Sequence, residues 1–200
     1  YCSKPISWQY PLVELATALL FVSLYIFWPD NLNSTANNVN LITWIIASVG
    51  LMELFVYDLR YMILPNKIIF PLLGLAVINI LLQSLITSDY KLLLSAAFGV
   101  MAGGGLFYVL FQASRGTWIG GGDVKLGFLL GLLLADPVLA LLMLFVASVL
   151  GSIFSLILVG KKGASIKTKI PFGPFLIAAA IITKLLGQNI IDWYNSLFIY

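Results

Sequence analysis

Residues 138–160 read VLALLMLFVASVLGSIFSLILVG, twenty-three residues in succession without a charge and with only three hydroxyl side chains, Ser148, Ser152 and Ser155. As a helix this run would extend about 34 Å at 1.5 Å per residue, enough to cross a hydrocarbon layer of about 30 Å. Its surroundings have the same character. The 200 residues are 61% hydrophobic and 10% charged, with a mean hydropathy of +1.04. Soluble domains run near 45–50% apolar and about 25% charged, so most of this chain has no water to face. Further apolar runs at residues 11–28, 41–57, 68–86, 92–112, 124–135 and 172–186 bring the expected spans to about seven. The fifth (124–135) and the seventh (172–186) are short. The expected fold is all-α and polytopic, with some spans short or broken.

Composition also excludes chemistry. There is no histidine, which removes Ser-His and Cys-His nucleophilic pairs, the H-E-x-x-H zinc site and histidine proton relays. The one cysteine, Cys2, allows neither an internal disulfide nor a cysteine-based metal site, so no metal is expected. The net charge of +3 comes without a basic run interleaved with aromatics, so nucleic acid is not an expected partner; in a membrane chain, basic residues report orientation. A chain starting at Tyr1 reads as a fragment or processed form with sequence preceding Cys2.

Lysine and arginine excess marks cytoplasmic loops. Lys4, Arg60, Lys67, Arg115, Lys125, Lys161, Lys162, Lys167 and Lys169 fall on one side of the spans, against Lys91 and Lys184 on the other. This ordering predicts a cytoplasmic N-terminus and an outside C-terminus. The outer loops hold Asp30, Asp89, Asp136 and Asp192, together with a turn-forming stretch from Asn31 to Asn40.

Four acids remain: Glu14, Glu53, Asp58 and Asp123, all toward the cytoplasmic ends of spans. Ionisable groups at membrane depth are costly and mark function by default. Asp136-Pro137 reads as a helix cap followed by a first-turn proline, and so marks the outer surface. Counting back thirteen residues puts Asp123 about 20 Å from that surface, roughly 10 Å below the cytoplasmic face. Asp58 lies near the cytoplasmic rim by the same count.

Gly120-Gly121-Gly122-Asp123-Val124-Lys125-Leu126 sets three glycines before an acid at a helix start. Such backbone permits close approach by another chain, and irregular backbone at depth requires protein or a water-filled cavity around it. The second acid ends a span in Tyr57-Asp58-Leu59-Arg60-Tyr61-Met62-Ile63-Leu64-Pro65-Asn66. Two carboxylates facing one cleft suit water-mediated peptide hydrolysis, because neighbouring like charges share a proton and divide the base and acid roles between them. Lys125 reads either as a cationic anchor at the membrane rim or as a cation favouring a nearby ionised carboxylate. Glu53, about 140° around its helix from Asp58, is either a structural acid or a third cleft acid. Glu14 shapes the cleft, serves methyl transfer or is a rim charge. Gly103-Gly104-Gly105, inside an apolar span, reads as close helix packing.

At these residues the chain resembles the bacterial type IV prepilin peptidases, the G-x-G-D class of intramembrane aspartyl proteases. Tyr57-Asp58 with Leu64-Pro65-Asn66, then Gly120 to Leu126, correspond to the paired motifs of that family. Pro5-Ile6-Ser7-Trp8-Gln9-Tyr10-Pro11-Leu12-Val13-Glu14 and Ile170-Pro171-Phe172-Gly173-Pro174-Phe175-Leu176 agree in order. The resemblance implies an endopeptidase of the bacterial inner membrane, with its site toward the cytoplasm. It would remove the basic leader from type IV prepilins or type II secretion pseudopilins, with Asp58 and Asp123 in the catalytic positions. It further implies residues 1–10 as a remnant of a cytoplasmic loop, 11–187 as the transmembrane peptidase domain and 188–200 as an extracytoplasmic tail. No cofactor is implied for peptide cleavage. Many members methylate the new N-terminus with S-adenosylmethionine and carry four zinc-binding cysteines, of which Cys2 matches only the last. Methyl transfer is therefore expected only of a full-length form.

The partners expected are the prepilin substrate and membrane lipid, with the oligomeric state open. The alternative is a proton- or cation-coupled transporter using the same acids. Transport usually places its site near the midplane between repeats, whereas both acids here lie toward one face.

Overall fold

The computed structural model describes residues 7–162 and 170–197. Cys2, Lys4, Pro5, Ile6, Lys167 and Lys169 lie outside the described residues. Among those described there are seven helices and no strand. They are α1 (Gln9–Ile26), α2 (Thr35–Tyr61), α3 (Asn66–Thr87), α4 (Lys91–Ala113), α5 (Gly121–Leu134), α6 (Pro137–Lys162) and α7 (Gly173–Ser196). All but α5 are long and apolar enough to cross a membrane, and the protein is a multi-pass membrane protein.

At 14 residues, α5 is about 21 Å long. It packs against α3, α4, α6 and α7, and Leu126, Leu129 and Leu130 are fully buried. A helix apolar on every side belongs inside, and α5 forms the centre of the bundle. The peripheral helix α6 shows the opposite arrangement: Val138, Leu141, Phe145, Val149, Ile153 and Leu156 form an exposed stripe at helical spacing. In water this stripe would be a liability; in lipid it is the solvent-facing side.

Glycine sets the distance between α4 and α5. A Cβ at Gly103 would lie 2.7 Å from the Gly127 carbonyl oxygen, and one at Gly127 would lie 2.6 Å from the Gly103 oxygen. Neither helix can carry side chains there, and the two backbones touch. Met101–Gly105 widens into a π-helical turn at this contact, a local bulge of the kind that re-aims a helix. Asp136 caps α6: its Oδ1 accepts from the amides of Val138 at 2.7 Å and Leu139 at 2.9 Å. Pro137 occupies the first helical position, and Ala135 turns the chain at φ 54°.

Three boundaries differ from expectation. α2 begins at Thr35, so only the first residues of the Asn31–Asn40 stretch form a turn. Asparagine disfavours helix because its amide competes for backbone groups, but here those amides have other partners. Asn37 donates to the Asn31 carbonyl at 2.9 Å and Asn79 Nδ2 donates to Asn40 Oδ1 at 3.2 Å. Thr43 Oγ1 also donates to Asn79 Oδ1, and Gln83 donates to the Ala36 carbonyl at 2.6 Å. These bonds pin α3 to α2 in the outer half of the bundle. At the other end α2 continues to Tyr61, so Asp58 sits inside its last turn, with its carbonyl accepting from the Met62 amide at 2.9 Å. α7 likewise runs on to Ser196, ten residues past the expected Leu186.

Candidate active site

Three elements meet around Asp58. It is 5% exposed on the last turn of α2, where the helix dipole opposes a negative charge. That charge is met instead by the N-terminus of α7, where the Gly173 amide donates to Asp58 Oδ2 at 3.0 Å. The first amides of a helix have no partner within it, and a carboxylate placed there gains both the bond and the favourable end of the dipole. No side chain fits between them: a Cβ on Gly173 would stand 2.5 Å from Asp58 Oδ2.

Asp123 stands in the first turn of α5. Its amide donates to the Gly120 carbonyl at 3.1 Å, and the Gly120 backbone amide is directed at its carboxylate. Gly173 joins the two acids' elements, since a Cβ there would meet both Asp58 Oδ2 and, at 3.5 Å, Leu126 of α5, one turn beyond Asp123. Two acidic side chains from α2 and α5, each resting on a helix N-terminus, therefore share one locus.

The glycine loop and the turn before α3 close the site from below. A Cβ at Gly122 would meet the Leu64 side chain at 3.2 Å, and Lys125 Nζ donates to Asn66 Oδ1 at 2.9 Å. Lys125 is thus a cross-brace between α5 and α3 at the site's edge, a role that neither reading of the sequence supplied. Phe172 packs edge-on against Phe107 of α4, with ring centres 6.0 Å apart. Beside it, a groove of about 700 Å³ runs between α2, α6 and the start of α7, walled by Phe55, Leu59, Phe154, Pro171, Pro174 and Phe175. It is apolar, and Leu59 and Pro174, the sequence neighbours of Asp58 and Gly173, form part of its wall.

Glu14 and Glu53 are not gathered here; both lie on exposed faces of α1 and α2. The sequence marks Pro171, Gly173 and Pro174 as shaping the entry of the last helix and a cleft wall; the bond from the Gly173 amide to Asp58 is what it did not show, since Ile170–Leu176 carries no reactive side chain. The signal was a glycine between Phe172 and Pro174 at a helix start, a backbone amide with no competing side chain. Among the described residues no three metal-ligating side chains converge; Cys2, the one match to the family's zinc cysteines, lies outside them.

A polytopic helical membrane protein with two interacting carboxylates at one end of the bundle defines the class. The comparisons give the family. Residues 44–156 match the Type IV leader peptidase family, a stretch holding both aspartates, and residues 1–28 match the Bacterial Peptidase A24 N-terminal domain. The chain belongs to the Type IV leader peptidase family. It is 34% identical over 193 residues to the prepilin leader peptidase/N-methyltransferase of Pseudomonas aeruginosa, covering 96% of this chain and 63% of that protein. The Aeromonas salmonicida A449 protein of the same name is 34% identical over 200 residues, 98% of this chain and 64% of its own. The Bacillus subtilis 168 protein of that name is 31% identical over 194 residues, covering 96% and 72%. The chain thus spans just under two thirds of the length of the first two relatives. No solved structure matches it.

Proposed function

We propose that this chain is a membrane endopeptidase that removes leader peptides from type IV prepilins, and related pseudopilins, with Asp58 and Asp123 as its catalytic pair. The observation that carries the reading is the placement of the two acids at one end of the bundle: Asp58 bonded to the first amide of α7, beside Leu126 of α5, and Asp123 in the first turn of that same α5. The family and the names of the relatives supply the substrate class.

The chemistry follows from one proton shared by two acids. The ionised member takes a proton from water as the oxygen attacks the scissile carbonyl carbon, and the protonated member gives its proton to the carbonyl oxygen. A neutral gem-diol results. The proton taken from water then passes to the amide nitrogen, a diol proton returns to the second carboxylate, and the C–N bond breaks to give acid and amine. The pair ends as it began, with one proton. The roles belong to the pair. The apolar groove beside Asp58 suits the hydrophobic segment that follows a prepilin leader, placing its first peptide bond at the aqueous end of the bundle. With basic residues Arg60, Lys67, Arg115 and Lys125 at that end, the site faces the cytoplasm of a bacterial inner membrane.

The groove walled by Phe55, Leu59 and Phe175 offers no hydrogen-bonding side chain to the amino-acid end of S-adenosylmethionine, and no methyl-transfer step is assigned to the described residues. The transporter reading needs a midplane site, whereas both acids lie at one end of the bundle. Cleavage of a purified prepilin by this chain and by its aspartate variants is the deciding test.

A further inference from the structure

At the opposite end of the bundle, Lys184 of α7 is nearly buried, with 12% of its side chain exposed. Its Nζ donates to Asp30 Oδ2 at 3.1 Å and stands 4.4 Å from the centre of the Trp28 ring. The three line a cavity of about 470 Å³ between the end of α1, the start of α6 and α7, which Gln188 and Asn189 complete. We propose that this cavity holds the headgroup of a zwitterionic phospholipid of the outer leaflet.

A pure structural clip would use up its groups, and this one does not. Among the described residues Lys184 has spent one of three N–H donors and Asp30 one of two oxygens. The Trp28 indole N–H is buried without an acceptor. The lining therefore offers a donor for a phosphate oxygen and, beside it, an acceptor for an ammonium group. The ion pair is neutral overall, so an anionic headgroup would meet Asp30 uncompensated, whereas a zwitterion matches both signs. The rim points to an amphiphile over free phosphate. Ile26, Phe27 and Leu186 border the cavity and are 63%, 58% and 44% exposed, an apolar collar suited to acyl chains. Depth agrees as well, because the site lies level with the Asp136-Pro137 turn and holds a tryptophan of the kind that seats at headgroups.

The test is native mass spectrometry of the intact chain released from bilayers of equal phosphatidylethanolamine and phosphatidylglycerol. Wild type should retain one phosphatidylethanolamine per chain, about tenfold enriched, the ratio one charge-assisted hydrogen bond supports. Asp30→Asn should lose that preference, and Lys184→Met should lose retention. Lys184→Arg keeps the charge and should hold the lipid even where the methionine variant unfolds. Lys91→Gln, on the same face and exposed, should match wild type. Equal retention of both lipids by wild type, undiminished retention by folded Lys184→Met, or complete displacement by soluble phosphoethanolamine would overturn the proposal.

Discussion

The Gly173 amide lies 3.0 Å from Asp58 Oδ2, joining residues 115 positions apart, and the contact leaves no room for a side chain. Gly173→Ala keeps the donor but places a Cβ 2.5 Å from that oxygen, so the carboxylate must move. Misplacing a catalytic group by about 1 Å costs on the order of a hundredfold in rate. Prepilin turnover should fall by about that factor, with the protein folded. Gly74→Ala, whose Cβ would meet nothing within 4 Å, should leave turnover unchanged.

Lys125 and Asn66 form the second cross-link of the site, at 2.9 Å. Lys125→Met removes a charge-assisted bond worth about 1.5–3 kcal/mol where it is fully formed. Because Lys125 is partly exposed, the effect should sit at the lower end, about a tenfold loss in kcat with KM little changed. Lys125→Arg should recover most of it. Comparing kcat and KM for the two variants distinguishes a brace from a membrane anchor, whose loss would leave kcat intact.

The α4–α5 contact makes a prediction about stability alone. Alanine normally replaces helical glycine with a gain of about 1 kcal/mol. At Gly127 the new Cβ would meet the Gly103 carbonyl oxygen at 2.6 Å and the Phe107 ring at 2.9 Å, and overpacking of this kind costs about 1–3 kcal/mol. Gly127→Ala should therefore lower Tm in detergent, measured by thermal unfolding, while Gly74→Ala should hold or raise it.

The fold was legible where physics is local. Runs such as 138–160 are long because a bilayer is thick, and Asp136-Pro137 caps a helix with its own side chain. Asp58 and Asp123 were legible as acids that lipid would not tolerate idle. Gly173 was legible only as part of the last helix's entry; its bond to Asp58 was not, because it is made by a backbone amide whose partner arrives from α2. Nor was the start of α2 at Thr35, since Asn37 and Asn40 become compatible with helix only through Asn31 and Asn79. Lys184, counted among the outer charges, is inside α7 and buried against Trp28, a pairing created by tertiary contact.

Orientation is tested by single cysteines in a Cys2→Ser background. Cysteines at Thr35 and Thr117 should label from opposite faces of the membrane, with Thr117 cytoplasmic. Labelling from the same face would overturn the placement of the site.

The most direct measurement is the rate at which purified prepilin loses its leader, compared among wild type, Asp58→Asn, Asp123→Asn and the double variant, with native folding verified for each. An amide can neither take the proton from water nor return it, and acid–base catalysis contributes about 10²–10⁴ in rate. Each single variant should therefore lose cleavage by at least about a hundredfold, and the double should lose scarcely more, as expected of groups acting as a unit. Near wild-type turnover in either folded single variant would contradict the shared-proton pair.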